Sequence, residues 1–174
     1  MELLEAMQNR RSIRKYLQED IPEEKLEKIL QAGLLSPSSK SIDSWQCIVV
    51  RDKETLERLS GSRDGGHARM LSGANCAIVV VADTSKSDVW IEDCAIAMAN
   101  MHLMADYLGV GSCWIQGRLR MAGEVTTDTY VRNILHYPDR YELEAILSLG
   151  VPEAKPKPHT LFELATERIH REQF

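Results

Sequence analysis

Aromatic side chains are scarce in this chain, which has two phenylalanines, three tryptophans and five tyrosines among 174 residues. Its longest apolar runs fall far short of the ~20 residues that cross a bilayer, so no membrane association is expected. The opening residues MELLEAMQNR hold two glutamates and no apolar segment, which gives no secretory leader. The four cysteines (Cys47, Cys76, Cys94, Cys113) form no C-x-x-C pair. They read as buried free thiols in a reducing cytoplasm, not as a disulfide frame or a zinc site. The five histidines show no H-E-x-x-H pattern, so no metal site is expected. There is no G-x-x-x-x-G-K-[ST] phosphate loop and no G-x-S-x-G elbow. GVGSCW contains G-x-G, but its first glycine follows a predicted helix and a third glycine is missing, which excludes the dinucleotide fingerprint. A formal net charge of -5 speaks against general nucleic-acid binding. No catalytic nucleophile or acid–base dyad emerges.

What is present is a single domain of alternating elements, with no repeat, linker or low-complexity tract. Leu3, Leu4 and Met7 suggest a short helix over 2–9, and Leu26, Ile29, Leu30 and Leu34 line a second, capped by Asp20 and closed before Pro37. WQCIVV (45–50) reads as a strand, KETLERLS (53–60) as a short helix, RDGGHAR (63–69) as a loop and CAIVVVA (76–82) as a buried strand. SCWIQG (112–117) runs as a strand into a turn, a helix follows around 123–135, and LEAILSL (143–149) is a strand. An extended tail ends in a short polar helix. The class is mixed α/β without a parallel βαβ series.

Two stretches stand out. Over 89–108, Ile91, Cys94, Met98, Met101, Ala105 and Leu108 step by three and four, and Trp90, Ala97 and Met104 widen that seam. Either this is the central helix of a monomer, or it is shared with a second copy. In NRRSIRKY, Arg10, Arg11, Arg14 and Lys15 surround Ser12. They either serve the C-terminal end of the first helix, where cations meet a favourable dipole, or they form a socket for a small anion such as phosphate.

RRSIRKY, then SPSS before a strand that starts with tryptophan, then GVGSCWIQG after the long helix, and finally PKPH in the tail follow one another in a fixed order. Together they resemble the nitroreductase family of FMN-dependent oxidoreductases, over residues 10 to about 165. The resemblance implies an α+β fold, a mainly antiparallel sheet flanked by helices, in an intertwined homodimer with FMN sites at the interface. By the same resemblance Arg10, Ser12 and Arg14, with Arg11 beside them, grip the FMN phosphate and ribityl chain. Pro37, Ser38, Ser39 and Ser41 reach the flavin across the interface, although they are equally a helix stop. Trp114, Ile115, Gln116 and Gly117 lie against the ring, and Lys157 and His159 complete the phosphate clamp. Arg69 matches a cation beside the flavin N1/O2 edge, where reduction leaves negative charge.

The implied reaction is hydride transfer from NADH or NADPH through FMN to a small acceptor (a nitroaromatic, quinone or flavin) by a ping-pong cycle. Alternatives are a flavin-dependent reductive dehalogenase, an FMN-binding module with little turnover, or a dimeric interaction protein without FMN. Two departures motivate the binding module. Asp43 stands where relatives carry a glutamine, and His159 where they carry an arginine.

Overall fold

In the computed structural model, which describes residues 2–174, six strands and five helices follow one another along the chain. The strands are β1 (Trp45–Val50), β2 (Cys76–Asp83), β3 (Gly111–Gln116), β4 (Met121–Ala122), β5 (Val125–Thr126) and β6 (Tyr141–Gly150). The helices are α1 (Leu3–Asn9), α2 (Glu23–Leu34), α3 (Lys53–Ser60), α4 (Trp90–Tyr107) and α5 (Thr127–Leu135). The strands expected at 45–50, 76–82, 112–117 and 143–149 and the long helix are therefore present, within two residues of the expected ends.

The main sheet has the order β1-β2-β6-β3, and every pairing is antiparallel. All eight residues of β2 are buried, because it is an inner strand with helices on both faces. Period-two alternation divides its side chains between two cores. Cys76, Ile78, Val80 and Ala82 pack with α2 and α4, whereas Ala77, Val79 and Val81 pack with α3, α5 and the turn at 69–73. Each fully buried Ile or Leu contributes ~1.5–3 kcal/mol of transfer free energy, so these two layers carry the fold. Cys76 and Cys94 are fully enclosed, and burial pushes both thiols up to about 12.

The seam read over 89–108 is the face that α4 buries, with Cys94, Ala97, Met98, Met101 and Ala105 at 0% exposure. The approach of α2 is set by Gly33, where an added Cβ would lie 2.9 Å from Met101 Sδ. Gly109, at φ +75°, ends the helix in the left-handed region. Asp93 on the same helix is buried and accepts the Ser39 N–H at 2.9 Å.

Four expectations are corrected. Asp20 does not cap α2; Pro22 takes that place, because the buried Ile21 draws the chain inward first. The helix expected from 123 starts at Thr127, since residues 121–126 form the β4–β5 hairpin around Gly123, at φ +65°. The tail holds no regular helix, only single 3-10 turns at Leu161–Glu163 and Thr166–Arg168. Its Phe162 and Phe174 are fully exposed, and so short a helix is not stable without packing. Finally, α1 stops at Asn9 with no cation in its last turn, and Arg10 already has ψ 118°. The helix-dipole reading of Arg14 and Lys15 is therefore excluded.

Candidate functional site

The edge of β3 that faces away from β6 is where the chemistry of the sequence gathers. Ser12 makes a single parallel bridge to Ser112, with the Ile13 N–H donating to Ser112 O at 2.9 Å, and the N-terminal segment then departs. Backbone groups of a strand alternate in direction, so Ser112, Trp114 and Gln116 all turn their N–H and C=O away from β6. Arg63 confirms the alternation by donating to Gln116 O from that side. The Trp114 and Gln116 amides thus open onto a cavity of about 330 Å³ lined by Arg14, Arg63, Gly66, His67, Met70 and Cys113 through Gln116. Behind the strand, the Trp114 indole donates to Gln116 Oε1 at 2.9 Å, and Gln116 Nε2 donates to Glu144 at 3.2 Å. Glu144 is buried at the β2–β6 register shift, and desolvation pushes its carboxyl up. Gly117 closes the strand, pressed against Leu143.

The basic segment divides its labour three ways. Arg10 turns inward and donates to His102 Nε2 at 2.9 Å, while His102 Nδ1 meets Ser112 Oγ at 2.6 Å. A guanidinium only donates, so Nε2 must accept and the proton sits on Nδ1, pointing at the serine. His102 is 8% exposed, and burial, aided by Arg10, pulls it down to about 4. Arg11 turns to the tail and donates to Lys157 O. The His159 N–H donates to Gln8 O at 2.9 Å, which places Lys157 and His159 beside Arg11. Arg14 runs along the surface into the β3 cavity. It also borders, with Ser12, Lys15 and Glu153, a smaller hollow of about 180 Å³.

The serine segment lies elsewhere. Ser39 is tied to Asp93 on α4, and the Ser38 hydroxyl donates to the Asp43 carboxylate at 2.6 Å. None of Pro37, Ser38, Ser39 and Ser41 lines the β3 cavity of its own chain. Lys40, Ser41 and Asp43 all take positive φ, from 49° to 54°, a cluster of strained non-glycine residues. Arg69 is exposed, its side chain stacked on Gly66, and it does not line the cavity either. Arg63, six residues earlier, does.

Sequence reasoning passed over Arg63, His67, Met70 and His102. Arg63 had no spacing to mark it, and His102 was hidden within the apolar seam of α4. One signal was available for Arg63: a second arginine opening the RDGGHAR loop that already contained Arg69.

The site thus belongs to an α+β protein, an antiparallel sheet between two helical layers with a cationic cavity along one free edge. The nitroreductase family model matches residues 7–62 and 61–151. An FMN-dependent nitroreductase from Clostridium difficile R20291 has the same fold, with a TM-score of 0.96 at 44% identity, over 98% of this chain and 99% of that one. A protein of Methanothermobacter thermautotrophicus, provisionally named as an NADH dehydrogenase/NAD(P)H nitroreductase, is 35% identical over 100% of this chain and 88% of its own length. A provisionally named nitroreductase of Desulfovibrio desulfuricans, solved in complex with FMN, is 25% identical with a TM-score of 0.78, over 100% of this chain and 98% of that one. The chain belongs to the nitroreductase family.

Proposed function

We propose that the chain is an FMN-dependent NAD(P)H oxidoreductase that reduces a small acceptor such as a nitroaromatic, a quinone or a free flavin. One observation carries this reading. The β3 edge offers two outward amides, at Trp114 and Gln116, in a cavity walled by Arg14 and Arg63, and neither arginine joins an ion pair among the described residues. The set fits FMN. Backbone donors suit the hydrogen-bonding edge of an isoalloxazine, and the guanidiniums suit negative charge and phosphate.

FMN supplies the acceptance of a hydride and its release to a second substrate. Arg14, with Ser12 beside it, would hold the phosphate and ribityl chain, with Arg11, Lys157 and His159 at the outer end, while Arg10, turned to His102, would brace the segment from behind. Trp114 to Gly117 would orient the ring plane, and of the two loop arginines only Arg63, not Arg69, lines the cavity. Cys113 borders the cavity with its thiol held up by burial, so it stays protonated at neutral pH and does not act as a nucleophile. The open cavity favours a ping-pong order in which the nicotinamide donor leaves before the acceptor enters.

A homodimer completes the proposal. Leu3, Leu35 and Tyr107 are 49–84% exposed and line a largely apolar hollow of about 450 Å³ between α1, α2 and α4. A partner seated there would account for that surface and would bring its own Ser38–Ser41 segment within reach of the cavity. Size-exclusion with light scattering is expected to give twice the chain mass.

The test of function is spectroscopic. Purified protein should be yellow, or become so with FMN, and should bleach on anaerobic addition of NADH or NADPH. Protein that stays colourless after FMN is added overturns the reading. Yellow protein that never bleaches would leave only a flavin-binding module.

A further inference from the structure

Beyond the β3 cavity lies a second hollow that the reaction above does not use. It measures about 320 Å³, is lined by Arg63, Asp64, Gly65, His67, Leu119, Arg120 and Met121, and shares Arg63 and His67 with the first. We propose that this hollow is a nucleotide-phosphate site at the mouth of the flavin cavity, in which Arg63, Arg120 and His67 receive the 2′-phosphate of NADPH and the apolar rim of Leu119 and Met121 receives the purine. The inference rests on the NAD(P)H reading and extends it by selecting the phosphorylated donor.

Three observations carry it. First, charge is unbalanced here in a protein of net charge -5. Neither Arg63 nor Arg120 belongs to an ion pair among the described residues. The local acid, Asp64, accepts the Gly123 N–H at 2.7 Å through Oδ1. Burial and then the repulsion of Arg120 pull the Arg63 guanidinium down against the opposing attraction of Asp64, and two guanidiniums facing one carboxylate across the hollow leave room for an anion. A phosphate monoester, with two charges and three acceptor oxygens, answers two guanidiniums better than a carboxylate does.

Second, the rim is apolar where water should have made it polar. Leu119 is 77% exposed and Met121 is 44% exposed, on either side of Arg120. Third, Leu119 holds φ +55°, a strained conformation for a bulky side chain, and no glycine has replaced it. Strain that presents a leucine to solvent beside an unpaired arginine is the arrangement expected of a surface that meets a base and its phosphate together. The backbone contributes as well, since Gly65, left-handed at φ +64°, lines the hollow and brings the main chain close to it.

Adenosine 2′,5′-bisphosphate and adenosine 5′-monophosphate, titrated calorimetrically into the purified protein, test the site without turnover. The bisphosphate should bind at least tenfold more tightly. Arg120→Gln should cut that preference below threefold, and Arg120→Lys should restore part of it, with thermal midpoints unchanged because Arg120 is exposed. The ratio of kcat/KM for NADPH to that for NADH should fall in parallel with Arg120→Gln. Equal affinity for the two probes, or a preference that survives Arg120→Gln, overturns the proposal. So does inorganic phosphate competing as well as the bisphosphate, because that marks a bare anion patch. Failure of the underlying reading looks different: no FMN uptake and no bleaching, whatever the adenosine probes do.

Discussion

Arg14→Ala is expected to raise the Kd for FMN by roughly 10- to 100-fold, the equivalent of the ~1.5–3 kcal/mol that a hydrogen bond to a charged group is worth. Arg14 is exposed, extends into the β3 cavity, and lies outside α1, so it holds no helix end together. Among the described residues its guanidinium reaches only Ser12 O, in a long hydrogen bond of 3.4 Å. Removing the side chain should therefore change unfolding free energy by less than ~0.5 kcal/mol, as for other surface positions. Titration of FMN fluorescence beside thermal unfolding separates the two quantities. Unchanged FMN affinity with a lowered melting temperature would move Arg14 from binding to structure.

The second large effect concerns acid. With pKa about 4 in the fold and 6.5 as the ordinary value, His102 refuses a proton that the unfolded chain accepts. Its neutral state supports folding fully above about pH 6.5, and that support is lost as the pH falls toward about 4. At ~1.4 kcal/mol per pH unit, the loss comes to about 3 kcal/mol. Other groups titrate in the same window. Glu144 works in the opposite direction, because its raised carboxyl takes up a proton more readily folded than unfolded. The quantity to read is thus the difference between wild type and His102→Gln, which keeps an acceptor for Arg10 and a donor for Ser112. Urea unfolding at pH 7.5 and pH 4 should show the wild type losing about 3 kcal/mol more than the variant. Equal losses would mean that protonated His102 is tolerated and that Arg10 simply swings away.

How much of this could be read beforehand differs from element to element. The apolar run at 76–82 and the three-four stepping of α4 were legible because local pattern and burial coincide there. The β4–β5 hairpin was not, since two-residue strands carry no period and only Gly123 marked the turn. The basic motif was legible as a cluster but not as a division of labour. Nothing in NRRSIRKY says that Arg10 will find a histidine 92 residues away, or that Arg11 will meet the tail 146 residues on. Arg63 and Arg69 illustrate the same limit. Both belong to a glycine-containing loop, and which one faces the β3 edge depends on turns at 64–66 and 69–73 that the sequence does not set by spacing.

The four thiols, met earlier as parts of the core, also make the chain a recorder of its own breathing. Cys47 lies half-buried on the edge strand β1, Cys113 on the opposite edge, and Cys76 and Cys94 in the sealed layer under α4. Since the thiolate is the form that attacks a reagent, and burial keeps all four protonated, modification must wait for local opening. The order in which they react therefore maps, from rim to centre, which parts of the molecule come apart first.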